Sequence, residues 1–276
     1  MIEREISDWD DAYANAPNIA GGERWPAAWA APAREYRERM AEEGQAELDA
    51  AYGEAARNRL DLFQPEGEAR GLVVFVHGGF WQRLDKSYWS HLAAGAVARG
   101  MAVAMPSYTL CPQARITQIT REIGQAISFA AARVGGPVFL AGHSAGGHLV
   151  TRMICRDSPL APEVLARVQR TVSISGVHDL RPLLKTRLND ALKLDEAEAE
   201  TESPALLKPV PRARLICWVG AGERAEFIRQ NALLANVWTG LGARTAAVEE
   251  PDRHHFNVID GLADPEHPLT RALLTA

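Results

Sequence analysis

Cysteine is scarce in this chain of 276 residues, and the three cysteines that occur are scattered. Cys111, Cys155 and Cys217 have neither the spacing of a zinc site nor that of a disulfide framework. Each lies in or beside an apolar segment, as is typical of small reduced side chains in a core. No other set of potential ligands has suitable spacing, so the sequence predicts no metal site and no disulfide scaffold.

Long hydrophobic runs and an excess of basic residues are also missing. No apolar run approaches the roughly 20 residues that a membrane-spanning helix needs. The formal net charge is −5, and the basic residues form no stripe, which argues against a nucleic acid as partner. The stretch Met1-Ile2-Glu3-Arg4-Glu5 lacks the features of a secretory leader. We therefore expect a cytoplasmic protein that binds neither nucleic acid nor membrane.

The most informative stretch covers residues 138–149. An apolar run ends in Gly142-His143-Ser144-Ala145-Gly146 and passes at once into an amphipathic segment. This order of strand, sharp turn and helix is the context of a Gly-x-Ser-x-Gly nucleophile elbow, which presents a serine hydroxyl above a sheet. The alternative is a glycine-rich junction whose serine only caps the helix.

Apolar runs alternate with helical patterns along the chain. We predict strands at 58–63, 71–76, 101–105, 138–141, 171–175, 214–219 and 244–248. We predict helices at 33–43, 88–99, 115–133, 145–156, 225–240 and 266–274. Such alternation indicates the α/β class, with a mostly parallel sheet and helices on both faces.

Residues 1–57 show no strand periodicity, and we expect them to form an N-terminal helical arm on a main domain at 58–276. The arm is rich in aromatic residues, which either pack on the main domain or wall a pocket. These residues are Trp9, Tyr13, Trp25, Trp29, Tyr36 and Tyr52.

A serine nucleophile needs a base and an acid, and parallel sheets place such groups after the carboxyl ends of their strands. Glu223 lies in the loop just past the strand at 214–219, and it is the expected acid. Glu226, on the first turn of the next helix, is an alternative. Asp179 is another, although its position also suits a cap for the segment that begins at Leu180.

The base is expected after the last strand, where two histidines adjoin. Because neighbouring side chains diverge, only one of them can face Ser144. We select His255, since Phe256 and Val258 begin a helix whose entrance would turn that side chain inward. His254 is the alternative.

A glycine-rich loop, His77-Gly78-Gly79-Phe80-Trp81, follows the second predicted strand. This is where the fold supplies a second oxyanion donor. Two glycines allow a tight turn with open amides, so we expect the backbone N–H groups of Gly79, Phe80 and Ala145 to form an oxyanion hole. His77 is expected to anchor the loop.

These segments together resemble the kynurenine formamidase (arylformamidase) branch of the α/β-hydrolases, which is related to the hormone-sensitive-lipase-like esterases. The likeness covers most of the chain from about residue 58 onward. It is carried by residues 58–65, 77–82, 142–149, 175–180, 219–227 and 255–256. The tryptophan that directly follows the His-Gly-Gly-aromatic loop is more specific than the elbow, which many unrelated hydrolases share.

The resemblance implies a serine hydrolase of the α/β-hydrolase fold, with Ser144 as nucleophile and His255 as base. It places the acid at Glu223, where the family usually has aspartate, and this difference keeps Asp252 and Glu226 as alternatives. The implied reaction releases formate from an aryl formamide such as N-formyl-L-kynurenine, a small-molecule substrate, and requires no cofactor.

Two other functions remain open at this stage. One is a carboxylesterase that acts on small acyl esters or carbamates with the same machinery. The other, from a different class, is a binding protein of the hydrolase fold that has lost catalysis.

The substrate pocket is harder to place from sequence. Trp81, Tyr108 and a cap-like insertion at 178–209 are the candidates for its wall, and Arg253 or Arg83 for contact with a substrate carboxylate. The sequence leaves open whether the protein forms a homodimer.

Overall fold

The computed structural model describes residues 5–275 of the chain. Residues 1–4, on which the absence of a leader was partly judged, lie outside this range, as does residue 276. The strands are β1 (Ala46–Ala51), β2 (Arg59–Phe63), β3 (Leu72–Val76), β4 (Ala102–Pro106), β5 (Val138–His143), β6 (Val168–Ile174), β7 (Arg214–Gly220) and β8 (Arg244–Glu250). The α-helices are α1 (Trp9–Tyr13), α2 (Trp25–Glu42), α3 (Ala94–Ala98), α4 (Ile116–Arg133), α5 (Ala145–Arg152), α6 (Pro162–Leu165), α7 (Asn189–Leu192), α8 (Glu196–Thr201), α9 (Ala225–Gly240) and α10 (Pro268–Leu274).

The strands form one sheet in the order β1-β2-β4-β3-β5-β6-β7-β8. The pairs β1–β2 and β2–β4 are antiparallel, and the other five are parallel. Side chains of β3 alternate between the two faces: Val74 joins an apolar cluster with α4 and α5, and Phe75 joins a second cluster with α2 and α10. Both faces of the sheet are therefore covered by helices, and the predicted fold class is confirmed.

The N-terminal segment differs from the predicted helical arm in two ways. Ala46–Ala51 forms an edge strand that was not predicted. The inward side of this strand holds only small or partly exposed residues, so its alternating pattern is too weak to recognise in the sequence. Helix α2 begins at Trp25, eight residues before the predicted start. Pro26 fits its first turn, where no amide donor is needed, and Pro32 lies on an exposed face, where water can satisfy the freed carbonyl.

The other predicted elements are present, with boundaries shifted by a few residues, except that the helix expected at 88–99 is divided. Two 3₁₀ turns, Lys86–Tyr88 and Ser90–Ala93, precede the short α3. None of the helices described here combines the length and apolarity that crossing a bilayer demands.

The strand register aligns the carboxyl ends of the central strands along one edge of the sheet. Val76 pairs with Gly142, Ile174 with Trp218, and the last residue of β7 with the last residue of β8. The loops that follow β3, β5, β6, β7 and β8 therefore meet at this edge, which is where catalytic groups of open α/β sheets lie.

Candidate active site

Ser144 lies at the sharp turn between β5 and α5, with φ of 55° and ψ of −116°. Its side chain makes no capping hydrogen bond, which argues against the interpretation of this serine as a helix cap. Both flanking glycines are required by close backbone approach. A Cβ on Gly142 would lie 2.2 Å from the carbonyl oxygen of Gly146, and one on Gly146 would lie 1.9 Å from that of Val76. The turn has the strained geometry of a nucleophile elbow.

Glu223 and His255 are in direct contact at the ends of β7 and β8. The Nδ1 atom of His255 lies 2.6 Å from Oε2 of Glu223, and both side chains are buried. The other carboxylate oxygen, Oε1, accepts hydrogen bonds from Oγ of Ser175 at 2.5 Å and from the backbone N–H of Gly220 at 2.9 Å. Both oxygens of the buried carboxylate therefore have partners, as a buried charge requires.

The ring of His255 is held from two further directions. It packs on Phe227 at 4.4 Å and on His143 at 4.7 Å between ring centroids. Nε2 of His143 donates a hydrogen bond to the backbone carbonyl of His255 at 2.8 Å. Burial, together with the neighbouring His255, holds the pKa of His143 well below its usual range. His143 is therefore neutral, with its proton on Nε2.

The alternative base, His254, points to a different part of the molecule. Its ring packs edge-on against Trp25 at 5.2 Å, and its Nδ1 accepts a hydrogen bond from the backbone N–H of Phe256 at 3.2 Å. The structure thus brings His255, and not His254, to the acid.

The alternative acids also have other surroundings. Glu226 accepts hydrogen bonds from Tyr13 at 2.8 Å and from Arg229 at 2.7 Å. Asp179 accepts from the backbone N–H of Arg181, which fits a turn-capping role, and pairs with its side chain at 2.9 Å. Asp252 is exposed, in a turn with φ of 59°. Glu223 is the carboxylate that contacts His255.

The His-Gly-Gly loop lies directly against the elbow. A Cβ on Gly78 would lie 3.0 Å from the Cβ of Ser144. Gly79 has φ of +107°, and a Cβ there would lie 2.3 Å from the carbonyl oxygen of Arg83. Phe80, with φ of 51°, continues this left-handed path. The loop thus combines close approach to the serine with backbone strain, which is typical of functional sites.

Three backbone amides near Ser144 have no internal acceptor. Within the described chain, the N–H groups of Gly79, Phe80 and Ala145 make no hydrogen bond to another protein group. Ala145 is also the first residue of α5, so its amide lies at the positive end of that helix. Such open donors beside a serine hydroxyl are suited to stabilising an oxyanion.

Ser144 and His255 line one cavity of about 780 Å³. The loop residues Gly79 and Phe80 also line it, together with Arg187 and Leu188 from the segment expected to form a cap. Much of the opposite wall comes from the N-terminal segment. Its contributors are Asp10, Tyr13, Ala14, Asn15, Ala16, Pro17, Gly22, Glu23, Pro26 and Trp29.

Three expected pocket residues lie elsewhere, since none of them belongs to the cavity wall formed by the described residues. Trp81 is fully buried, and its ring packs edge-on against His148 at 5.2 Å. Tyr108 is also fully buried and stacks on His77 at 4.4 Å. Arg253 pairs with Glu250 at 3.1 Å. The reason is local: these side chains support the loops, and the backbone turns of the loops direct them away from the cavity.

The loop itself is anchored by His77. Its Nδ1 donates to the carbonyl oxygen of Gly78 at 2.7 Å, and its ring stacks between Tyr108 and Trp89. Burial lowers the pKa of His77 to about 4, so the ring is neutral at pH 7.

Several residues at the site were not identified from the sequence. Ser175 supports the acid; its position at the end of a predicted strand was the available signal. Asn15, Trp89 and Arg187 line the cavity, and no motif marks them. Across residues 5–275, no three His, Cys, Asp or Glu side chains are grouped so as to hold a metal ion.

Comparisons with known proteins bear on the family and the fold of the chain. The BD-FAE family profile matches residues 60–198, about half of the chain. The kynurenine formamidase of Danio rerio is 29% identical over 238 residues, which cover 82% of this chain and 80% of that protein. An isoprenylcysteine alpha-carbonyl methylesterase of Arabidopsis thaliana is 36% identical over 106 residues, 36% of this chain and 25% of the other.

A crystal structure of a candidate thioesterase from Silicibacter sp. TM1040 is similar over nearly the whole chain. It is 48% identical, with a TM-score of 0.92, and the match covers 98% of this chain and 99% of that one. Together, these findings confirm the resemblance and the hydrolase fold that the sequence predicts.

Proposed function

Because the chain belongs to the BD-FAE family, we propose that it is a serine hydrolase that removes the formyl group from an aryl formamide such as N-formyl-L-kynurenine. The observation that carries this proposal is the contact of His255 with Glu223 beside the cavity that Ser144 also lines. The kynurenine formamidase of Danio rerio, similar over most of its length, supports the choice of a formamide.

In the first half of the proposed reaction, Nε2 of His255 takes the proton of the Ser144 hydroxyl, and the oxygen attacks the formyl carbon. Negative charge develops on the former carbonyl oxygen. The backbone N–H groups of Gly79, Phe80 and Ala145 donate hydrogen bonds to this oxygen. Each well-placed donor lowers the barrier by about 3 kcal/mol. Glu223 stabilises the imidazolium without taking its proton.

In the second half, the C–N bond breaks and protonated His255 donates its proton to the departing aryl amine. The formyl group remains on Ser144 as an ester. Water, deprotonated by His255, then attacks this ester, and formate leaves as the serine regains its proton. The reaction needs no electron carrier, because no atom is oxidised or reduced.

We further propose that the part of residues 1–57 that precedes β1 acts as an arm and that residues 178–209 act as a cap, on a hydrolase domain whose sheet includes β1 to β8. The arm contributes Tyr13 and Trp29 to the cavity wall, and the cap contributes Arg187. A cavity of about 780 Å³ is far larger than a formyl group requires, so most of it is available for the leaving group.

The proposal is tested by comparing kcat/KM for N-formyl-L-kynurenine with that for p-nitrophenyl butyrate. A formamidase should prefer the formamide by roughly a hundredfold, although the ester has the better leaving group. Comparable values for the two substrates would refute the formamide assignment.

A carboxylesterase that acts on small acyl esters or carbamates is the second candidate function. Similarity to the methylesterase of Arabidopsis thaliana, which is 36% identical over 106 residues, supports this function. In the same comparison, this function predicts that p-nitrophenyl acetate or butyrate is the better substrate. A small acyl thioester belongs in that series because the Silicibacter protein is named a candidate thioesterase.

A further inference from the structure

Arg57, in the connection between β1 and β2, joins two loops at the active-site edge of the sheet. Its Nε donates a hydrogen bond to the backbone carbonyl of Tyr108 at 2.8 Å, and its Nη2 donates to that of Leu84 at 2.6 Å. Leu84 lies in the loop that follows β3, and Tyr108 lies in the loop that follows β4. Because β3 and β4 are parallel, both loops leave the sheet at the same edge.

Tyr108 contacts the start of the His-Gly-Gly loop. Its hydroxyl donates to the backbone carbonyl of His77 at 3.1 Å, and its ring stacks on that of His77 at 4.4 Å. The side chain of Tyr108 is fully buried. By fixing the backbone of Tyr108, Arg57 therefore acts on the point where the loop leaves β3.

Leu84 lies at the other end of the same loop. The backbone N–H groups of Gln82 and Arg83 both donate to the carbonyl of Gly79, at 3.0 and 3.1 Å, so residues 79–83 form a closed turn. Leu84 follows this turn with φ of 69°. A left-handed conformation of this kind is strained in a residue other than glycine, and it persists only where surrounding contacts impose it. The hydrogen bond from Arg57 is such a contact.

The closed turn carries two of the amides that are proposed to bind the oxyanion. These are the N–H groups of Gly79 and Phe80, at φ of 107° and 51°. Amides stabilise an oxyanion only if they already point at it, and a misplacement of about 1 Å can cost about a hundredfold in rate. The rate therefore depends on how firmly both ends of the loop are held.

Arginine is suited to this task. Its guanidinium is planar and always ionised, so it donates strong hydrogen bonds in two fixed directions. Among residues 5–275, Arg57 has no carboxylate partner, and both of its hydrogen bonds go to the two loops. A lysine ammonium is a single point of charge and does not reproduce this fork.

We propose that Arg57 is a positioning residue that holds both ends of the His-Gly-Gly loop and thereby fixes the amides of the oxyanion hole. Arg57 is not part of the wall of the catalytic cavity, so it acts through the loop and not on the reacting atoms. The inference rests on the proposed function in one respect, the attack of Ser144 on a carbonyl carbon. It applies to a formamide and to an ester alike.

Arg57 also lines a second cavity, of about 290 Å³. Neither Ser144 nor His255 belongs to the wall of this cavity. If the side chain of Arg57 is removed, a small cation of the same shape can therefore enter its place without occupying the catalytic cavity. Methylguanidinium is such a cation, because it keeps the planar fork of donors.

The test begins with Arg57→Ala, assayed well below its Tm with N-formyl-L-kynurenine and with p-nitrophenyl acetate. We expect kcat to fall about tenfold to a hundredfold on whichever substrate is turned over, with KM little changed, because oxyanion contacts form mainly in the transition state. Methylguanidinium at millimolar concentration should restore much of kcat. Arg57→Lys should remain impaired.

Inhibition by phenylboronic acid reports on the oxyanion hole separately, because its adduct with Ser144 carries an oxygen at the oxyanion position. The inhibition constant should rise in Arg57→Ala by about the same factor by which kcat/KM falls. A role in stability alone would lower Tm and leave this constant unchanged in the folded protein.

The matched control is Arg59→Ala. Arg59 lines the same second cavity and also donates to backbone carbonyls, but these belong to its own connection between β1 and β2. The control should keep normal kcat and a normal inhibition constant for phenylboronic acid. Gly79→Ala provides a second control, since methylguanidinium should not restore its activity.

Three results would overturn the inference. The first is normal kcat in Arg57→Ala, and the second is an equal loss of kcat in Arg59→Ala. The third is a loss of kcat that methylguanidinium does not restore and that leaves inhibition by phenylboronic acid unchanged, since Arg57 would then be only structural.

The two proposals fail in different ways. If only the ester is hydrolysed and Arg57→Ala slows that reaction, the formamide assignment is wrong and the role of Arg57 stands. If N-formyl-L-kynurenine is the preferred substrate and Arg57→Ala is fully active, the reverse holds. If the wild-type protein hydrolyses neither substrate and a fluorophosphonate does not label Ser144, both proposals are wrong.

Discussion

The Nδ1 atom of His255 lies 2.6 Å from Oε2 of Glu223, and this contact determines which ring nitrogen is free to act as a base. A carboxylate only accepts hydrogen bonds, so the proton of the neutral ring lies on Nδ1 and Nε2 keeps its lone pair. Ser175 and Gly220 fix the other oxygen of the carboxylate, so the acid cannot turn away without losing two hydrogen bonds.

The first prediction concerns this acid. Glu223→Gln keeps the shape of the side chain but no longer stabilises the imidazolium, so kcat should fall by about 10³ to 10⁴ while KM changes little. The matched control is Glu226→Gln, three residues further along, whose carboxylate contacts Tyr13 and Arg229. Steady-state kinetics should show near-normal kcat for the control. Normal activity in Glu223→Gln would mean that another acid completes the triad.

The second prediction concerns the loop beside the serine. Gly79→Ala places a methyl group 2.3 Å from the carbonyl oxygen of Arg83 at a φ of +107°, so the loop must move and its open amides with it. We expect kcat/KM to fall about a hundredfold, together with a lower Tm. Gly242→Ala is the control, because Gly242 has φ of +86° with no atom near its Cβ position. It should cost some stability and no activity; equal activity losses in both variants would refute the oxyanion role.

The third prediction concerns stability at low pH. Burial lowers the pKa of His77 to about 4 and that of His148 and His178 to about 3, and it holds that of His143 well below its usual range. The unfolded chain binds these protons near pH 6.5, so the stability present above that pH is lost as pH falls toward 4. Each histidine contributes a slope of about 1.4 kcal/mol per pH unit.

Denaturant unfolding at several pH values measures this slope. The variant His148→Gln can still donate a hydrogen bond to the carbonyl of Glu202. Because it removes one histidine that binds a proton only when the chain unfolds, the number of protons taken up on unfolding at pH 5 should fall by about one. A free energy of unfolding that stays constant between pH 6.5 and 4.5 would contradict the assignment of neutral buried histidines.

The fourth prediction concerns two arginines. Arg83 lines the cavity, whereas Arg253 pairs with Glu250 away from it. Arg83→Ala should therefore raise KM for N-formyl-L-kynurenine several-fold. Arg253→Ala should leave that KM within about a factor of two of the wild-type value. The opposite result would place the substrate carboxylate near β8 rather than at the cavity rim.

The parts of the site that carry sequence signals could be predicted. The elbow around Ser144 needs glycines at fixed positions, and Glu223 and His255 each follow a recognisable strand. Because parallel strands end at one edge of the sheet, chain order alone predicts that these three residues lie at the same edge. The tight turn at Ser144 requires glycines on both sides, and this requirement is what makes the turn visible in the sequence.

The substrate pocket could not be predicted in the same way. Trp81 was expected on its wall because it follows the His-Gly-Gly loop, but the loop turns it into the core, with φ of 56°. Asn15 and Arg187 reach the cavity from segments far apart in the chain, and no local pattern marks such a position. Strand β1 was missed for a related reason, since an edge strand with one partner needs few apolar residues.

The central claim is that Ser144 is a nucleophile activated by His255. Its most direct test is treatment with a fluorophosphonate, followed by intact-mass analysis and peptide mapping. The account predicts one adduct per chain, on Ser144, with labelling that is abolished in Ser144→Ala and greatly slowed in His255→Ala. Absence of labelling in the wild-type protein, or an adduct on any other residue, would contradict it.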